Sequence, residues 1–255
     1  MADVHASAVV DDAAVLAGGV RVGPHAVIEA GVRIGADSRV EVGTVLRTGA
    51  VVGARCRLGP YATVGEPPMD HEFRGEDSWA VLEDDVELRE FTSVHRATGE
   101  GAETRVGASV LVMTSAHVSH NVTVGAEAVI TNAVQLGGHA EVGRYAVVGG
   151  GVLVHQFARV GELAMIGGGS HVNRDVLPFA LARGSMARHY RLNRVGLARH
   201  GIDGDRARAL QRALRALRRR DEAQLDALAT EWPDVAHLRA FRNDSRRGVA
   251  RFAGA

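Results

Sequence analysis

The chain has 255 residues and a formal net charge of zero, with 46% hydrophobic but only 4% aromatic residues, proportions that exclude a disordered or collagen-like chain and fit an aliphatic core. The single cysteine, Cys56, excludes an intrachain disulfide framework and fits a reducing compartment. No basic, then apolar leader opens the sequence, and no run approaches the roughly 20 apolar residues of a membrane span. A cytoplasmic protein is therefore expected, with no transmembrane segment and, at zero net charge, no nucleic-acid partner.

From Val4 an aliphatic residue recurs every sixth position through Val10, Leu16, Val22, Ile28, Ile34, Val40, Leu46, Val52 and Leu58 to Val64. Four places after each aliphatic sits a small or β-branched residue such as Ala26, Val32, Cys56 or Ala62. The period breaks at "GEPPMDHEFRGEDSW", returns for Leu82, Leu88 and Val94, and breaks again at "HRATGEGAETR". A second ladder then runs unbroken from Val106 to Val172. A six-residue period fits neither a helix nor a continuous alternating strand. It fits a short strand and a turn, repeated, with three units closing a triangular coil of 18 residues. Each coil buries its inward residues only against the coils above and below, which makes a mainly β, hexapeptide-repeat parallel β-helix. Its expected span is 1–185, with inserted loops near 65–80 and 95–105.

Past Val172 the period is lost and Pro178 interrupts the chain. From Asp203, the residues Ala209, Leu210, Ala213, Leu214 and Leu217 fall at helical spacing. A C-terminal α-helical region over 186–255 is expected, capping the end of the solenoid. Between 183 and 220 stand twelve arginines against two aspartates, a strong local bias in a neutral chain.

With an 18-residue coil, His120, Gly138 and Gln156 stack on one edge, and His139 and His155 each lie one residue from that line. His117, three before His120, joins them. Four histidines and a glutamine on one edge predict a site, and histidine is the usual general base near neutral pH. Gly138 offers an unobstructed backbone N–H for a developing oxyanion. No serine or cysteine nucleophile motif accompanies the histidines, so direct acyl transfer to a hydroxyl or amine is favoured over a covalent intermediate. Histidine is also a metal ligand, and spacing alone leaves that reading open.

The segments "HRAT", "SAHVSHN", "LGGHAEVG", "VHQFARVG", "GGGSHV" and "LNRVGLARHG" resemble, in order and at matching spacing, the motifs of the acyl carrier protein-dependent UDP-N-acetylglucosamine O-acyltransferases of lipid A biosynthesis. The resemblance covers essentially the whole chain. It implies a left-handed parallel β-helix assembled as a homotrimer with sites between subunits, working without metal or organic cofactor. It further implies that His120 takes the proton from the sugar 3-hydroxyl, that Gly138 holds the oxyanion, and that His117, His139, His155 and Gln156 line the site. Asp70, in the first inserted loop, would contact the sugar. Asn193 and Arg199 match positions that bind the nucleotide sugar or carrier-linked donor, and Gly168 and Met186 match the acyl-chain groove. The acidic carrier protein would give the arginine-rich segment a partner.

Three residues depart from the family's pattern: Asn121 where an acid usually follows the histidine, Glu72 where a lysine is common, and Val195 where a glutamate is frequent. They keep open another nucleotide sugar or amino sugar as acceptor. Two further alternatives are a zinc-dependent γ-type carbonic anhydrase built on the same solenoid and a non-enzymatic scaffold.

Overall fold

The computed structural model describes residues 1–254 and is a three-faced parallel β-helix followed by a hairpin and four helices. Face 1 stacks the strands from Asp3–Val4 to Ala180–Arg183, face 2 those from Val9–Val10 to His171–Val172, and face 3 those from Val15–Leu16 to Arg159–Val160. Register follows the 18-residue coil: on face 2, His117 pairs with Gln135, Gln135 with Leu153, and Leu153 with His171. The second residue of each two-residue strand points inward, so Val118, Leu136, Val154 and Val172 form a buried column. The small residues four places later, Ala26, Val32, Cys56 and Ala62 among them, are buried too, because the corner turns leave room for nothing larger. Burial of each Val, Leu or Ile contributes roughly 1.5 to 3 kcal/mol, so the stack is stabilised by many equal increments along its axis. The first coil has no coil beneath it: Val4 is exposed and Val10 and Leu16 are only half-buried.

Corners require a residue with positive φ. Asn121 occupies one with φ 58, a conformation asparagine tolerates better than most side chains. Both insertions leave the prism at the edge between faces 2 and 3, one between the strands Thr63–Glu66 and Trp79–Leu82, the other between Ser93–His95 and Glu103–Val106.

The boundary expected at 185/186 falls inside a β-hairpin. Strand Arg188–Leu192 returns antiparallel to Ala180–Arg183 and extends face 1, and the helices begin only at Arg194. Helices α1 (Arg194–Arg199), α2 (Gly204–Arg219), α3 (Glu222–Glu231) and α4 (Pro233–Asn243) share their own core of Leu197, Leu210, Leu214, Leu228 and Leu238. That core is seated on Leu163 and Phe179, residues of the edge between faces 3 and 1, and is separate from the aliphatic ladder. The bundle therefore docks on a side edge instead of plugging the end of the solenoid. The tail returns to the β-helix at Asp175, which is fully buried, pairs with Arg159 at 3.0 Å, and accepts from Ser245 Oγ at 2.7 Å.

Candidate active site

His120 stands at the edge between faces 2 and 3, where the coil turns into Asn121. Its Nδ1 lies 2.9 Å from Asn121 Oδ1 and 3.9 Å from Asp70 Oδ2. Its ring covers Gly138 of the next coil so closely that a Cβ there would sit 2.5 Å from His120 Nε2. Gly138 is buried, and among the described residues no acceptor takes its N–H. The His139 ring meets His120 edge-on at 5.3 Å and stacks on Phe157 at 4.6 Å. Burial, and then the charge of His120, depresses the pKa of His139.

Asp70 is delivered by the first insertion, which is pinned to the second. The Gly99 N–H donates to Glu76 Oε1 at 2.7 Å, the Gly101 N–H to the Asp77 carbonyl at 2.8 Å, and Arg96 lies over the Phe73 ring at 5.0 Å. Asp70 Oδ1 accepts the Glu72 N–H, which holds its carboxyl below the usual range, so Asp70 is a carboxylate at neutral pH.

The four histidines that the 18-residue stacking placed in one patch point in two directions. His120 and His139 meet at the edge, whereas His117, the first residue of its strand, and His155, the residue after the inward Val154, point out from face 2. They line a cavity of about 470 Å³ with Met69, Leu136, Leu153, Val172 and Met186. Its walls are mostly apolar, a groove suited to an alkyl chain. His117 Nδ1 hydrogen-bonds Ser93 Oγ at 2.8 Å, and its Nε2 is buried without a protein partner among the described residues. Desolvation pushes its pKa down to about 4, so it faces the groove as a neutral ring. Behind it, His95 packs edge-on at 4.8 Å and bonds the Pro67 carbonyl at the root of the first insertion. Sequence reasoning missed Ser93 and gave no role to His95. The pairing of Ser93 with His117 spans the second insertion, which hides it from a six-residue count.

On the face 3 side of His139 opens a polar cleft of about 500 Å³, lined by Asn121, Thr123, Glu141, Arg159, Arg246 and Arg247 among others. The His120 and Gly138 pair thus lies between an apolar groove and a polar cleft. Gln156 is exposed at the same edge. Gly168 is not in the groove; it sits at the edge between faces 1 and 2 beside Gly150, while Met186 does line the groove. Asn193 and Arg199 are not brought to His120 within the chain. Asn193 caps α1, accepting the Gly196 N–H and donating to the Leu163 carbonyl, and Arg199 is exposed in the last turn of that helix, at the edge between faces 3 and 1.

A relative from Myxococcus xanthus, an acyl carrier protein-dependent UDP-N-acetylglucosamine O-acyltransferase by name, is 42% identical over 258 residues, 98% of this chain and 100% of its own length. The chain belongs to this O-acyltransferase family. A relative of the same name from Alkalilimnicola ehrlichii is 40% identical, again over 98% of this chain and 100% of its own. The family profile described as "Udp N-acetylglucosamine O-acyltransferase; Domain 2" matches residues 175–250, the hairpin and helices. Among solved structures, the UDP-N-acetylglucosamine acyltransferase of Campylobacter jejuni superposes with a TM-score of 0.92 at 30% identity, covering 98% of this chain and 100% of that one. The Francisella novicida enzyme gives 0.94 at 27% identity, covering 98% and 95%. The fold is the left-handed parallel β-helix that the resemblance implied. Membership in the O-acyltransferase family displaces the carbonic anhydrase and scaffold readings. Among the described residues of one chain, no three His, Cys, Asp or Glu side chains group as metal ligands.

Proposed function

We propose that the protein transfers a 3-hydroxyacyl chain from acyl carrier protein to the 3-hydroxyl of UDP-N-acetylglucosamine, the first step of lipid A biosynthesis. The observation that carries this reading is the His120 and Gly138 pair: an imidazole nitrogen over a glycine with a free N–H, with an apolar groove on one side and a polar cleft on the other. His120 Nε2 takes the proton from the sugar O3–H as that oxygen attacks the thioester carbonyl carbon. The carbonyl oxygen becomes an oxyanion, stabilised by the Gly138 N–H. Collapse expels the carrier's thiolate, which receives the proton from the imidazolium and leaves as the thiol. General base and oxyanion donor each supply typically 10² or more in rate, and the route needs no covalent enzyme intermediate. Asp70 fits a hydrogen bond to the sugar, and the groove at His117, His155 and Met186 fits the acyl chain.

Asn193, Arg199, Gln156 and Gly168 complete the site only if another subunit supplies or covers them, and a homotrimer would do so. The outward residues Leu111, Val129, Val147 and Met165 form a half-buried apolar stripe on face 1 that suits such a contact. On α2, Arg212, Arg215 and Arg219 are exposed and, among the described residues, have no carboxylate partner, which suits an acidic carrier protein. Among the described residues, no helix is long and apolar enough to cross a membrane. Glu72, exposed two residues from Asp70 where the family commonly has a lysine, supports one variant, an acceptor carrying an amine at the sugar 3-position. The test offers the purified protein 3-hydroxyacyl acyl carrier protein with UDP-N-acetylglucosamine and its 3-amino analogue in competition, with His120→Ala as control. Product on the natural sugar that disappears in the mutant supports the main reading. Product on the amine alone moves the acceptor, and undiminished transfer by the mutant removes His120 as the base.

A further inference from the structure

A neutral imidazole acts as a base through one ring nitrogen only when the other carries the hydrogen. At His120 the choice is made by Asn121. The side-chain amide of Asn121 is held on both sides by the backbone of Thr98: Oδ1 accepts the Thr98 N–H at 3.0 Å, and Nδ2 donates to the Thr98 carbonyl at 3.0 Å. Turning the amide over would set donor against donor and acceptor against acceptor. The Asn121 main chain is fixed as well, its N–H donating to the buried Thr104 Oγ1 at 2.8 Å. Oxygen is therefore the atom presented to His120 Nδ1 at 2.9 Å, and Nδ1 must be the donor. Nε2, over Gly138, keeps its lone pair.

The other charged or titratable groups around this ring are Asp70, at 3.9 Å and beyond hydrogen-bond reach, His139 edge-on, His117 and His95, with Glu72 beyond His139. None of these groups hydrogen-bonds the ring; among the described residues, Asn121 alone does so. We propose that Asn121, clamped by Thr98, is a positioning residue that fixes His120 in the Nδ1–H tautomer through an uncharged amide, so that the base works without a carboxylate bonded behind it. This rests on His120 being the base. An amide orients the ring but gives the imidazolium none of the charge attraction a carboxylate would.

The test uses the full-length protein labelled with ¹⁵N-histidine and followed by NMR through a pH series, the His120 signals being assigned by their loss in His120→Gln. The expected signature is a protonated Nδ1 and an unprotonated Nε2 down to the pH at which the ring ionises. A dominant Nε2–H form, or a mixture of the two, overturns the proposal. In parallel, the acid limb of kcat/KM is compared between the wild type and Asn121→Asp, and is expected to move up by about one pH unit or more in the variant. A limb that does not move overturns it. In Asn121→Asp one carboxylate oxygen would face the Thr98 carbonyl, so the thermal midpoint is measured alongside; if that variant does not fold, the tautomer spectrum decides. Asn121→Ala is expected to lower kcat about ten- to a hundredfold with KM nearly unchanged, and an unaltered kcat counts against the clamp. Transfer that survives His120→Ala would instead remove the base itself, an outcome distinct from a wrong tautomer.

Discussion

Gly138→Ala places the sharpest demand on the site geometry. The residue has ordinary backbone angles, so alanine there meets no conformational strain, and the effect falls on what lies above it. The new Cβ would stand 2.5 Å from His120 Nε2 and 2.6 Å from Cε1, about 0.9 Å inside the 3.4 Å at which ordinary contact begins. The ring cannot simply swing away, because Asn121 holds Nδ1 and His139 packs its side. Nε2 must therefore shift by close to 1 Å relative to the Gly138 N–H and the bound hydroxyl. A misplacement of that size costs about a hundredfold, or about 2.7 kcal/mol of transition-state stabilisation. The assay is steady-state acyl transfer with acceptor and donor varied in turn, together with the thermal midpoint. A fall in kcat with KM and midpoint nearly unchanged is expected. Wild-type kcat in Gly138→Ala would refute the placement of His120 Nε2 over this glycine.

Three other outcomes follow from buried polar groups and the ladder. His189 is buried, accepts the Leu177 N–H on Nε2 and donates Nδ1–H to the Ala250 carbonyl, and desolvation depresses its pKa from 6.5 to about 4. The unfolded chain thus takes up a proton below pH 6.5 that the folded chain refuses until about pH 4, and about 3 kcal/mol of stability should be lost across that window. Urea titrations at several pH values should show a shallower loss for His189→Gln. Asn193→Ala removes the α1 cap and the donor to Leu163, and is expected to lower stability by about 1 to 2 kcal/mol by thermal unfolding; a rise in acceptor KM beyond that would place Asn193 at a neighbouring site. Val148→Asp buries an unpaired charge in a fully enclosed position and should cost more than about 4 kcal/mol, seen as loss of the folded species by size exclusion and calorimetry.

The ladder was legible because one period governs every coil: each inward residue from Val106 to Val172 is buried where the six-residue count puts it. The His120 and Gly138 stack was legible for the same reason. The direction each histidine takes was not, since three residues carry the chain from His117 on a face to His120 at an edge. The clamp of Asn121 on Thr98 was hidden too, because Thr98 lies in an insertion that obeys no period. The hairpin over 180–192 escaped notice because Arg188–Leu192 alternates too little to read as a strand and pairs only by returning on its neighbour. Asn193 was read for its family position, whereas its local chemistry, an asparagine before a helix with a glycine three residues on, already described a cap.

The open first coil has a kinetic meaning. With Val4, Val10 and Leu16 incompletely covered, it should be the first segment of the β-helix to open. Amide hydrogens there should exchange first, protection should climb coil by coil, and the slowest amides should lie near Val118 and Leu136, beside the chemistry. Rigidity in this molecule is then a gradient along one axis, and the reactive histidine sits well up the slope from the end that frays.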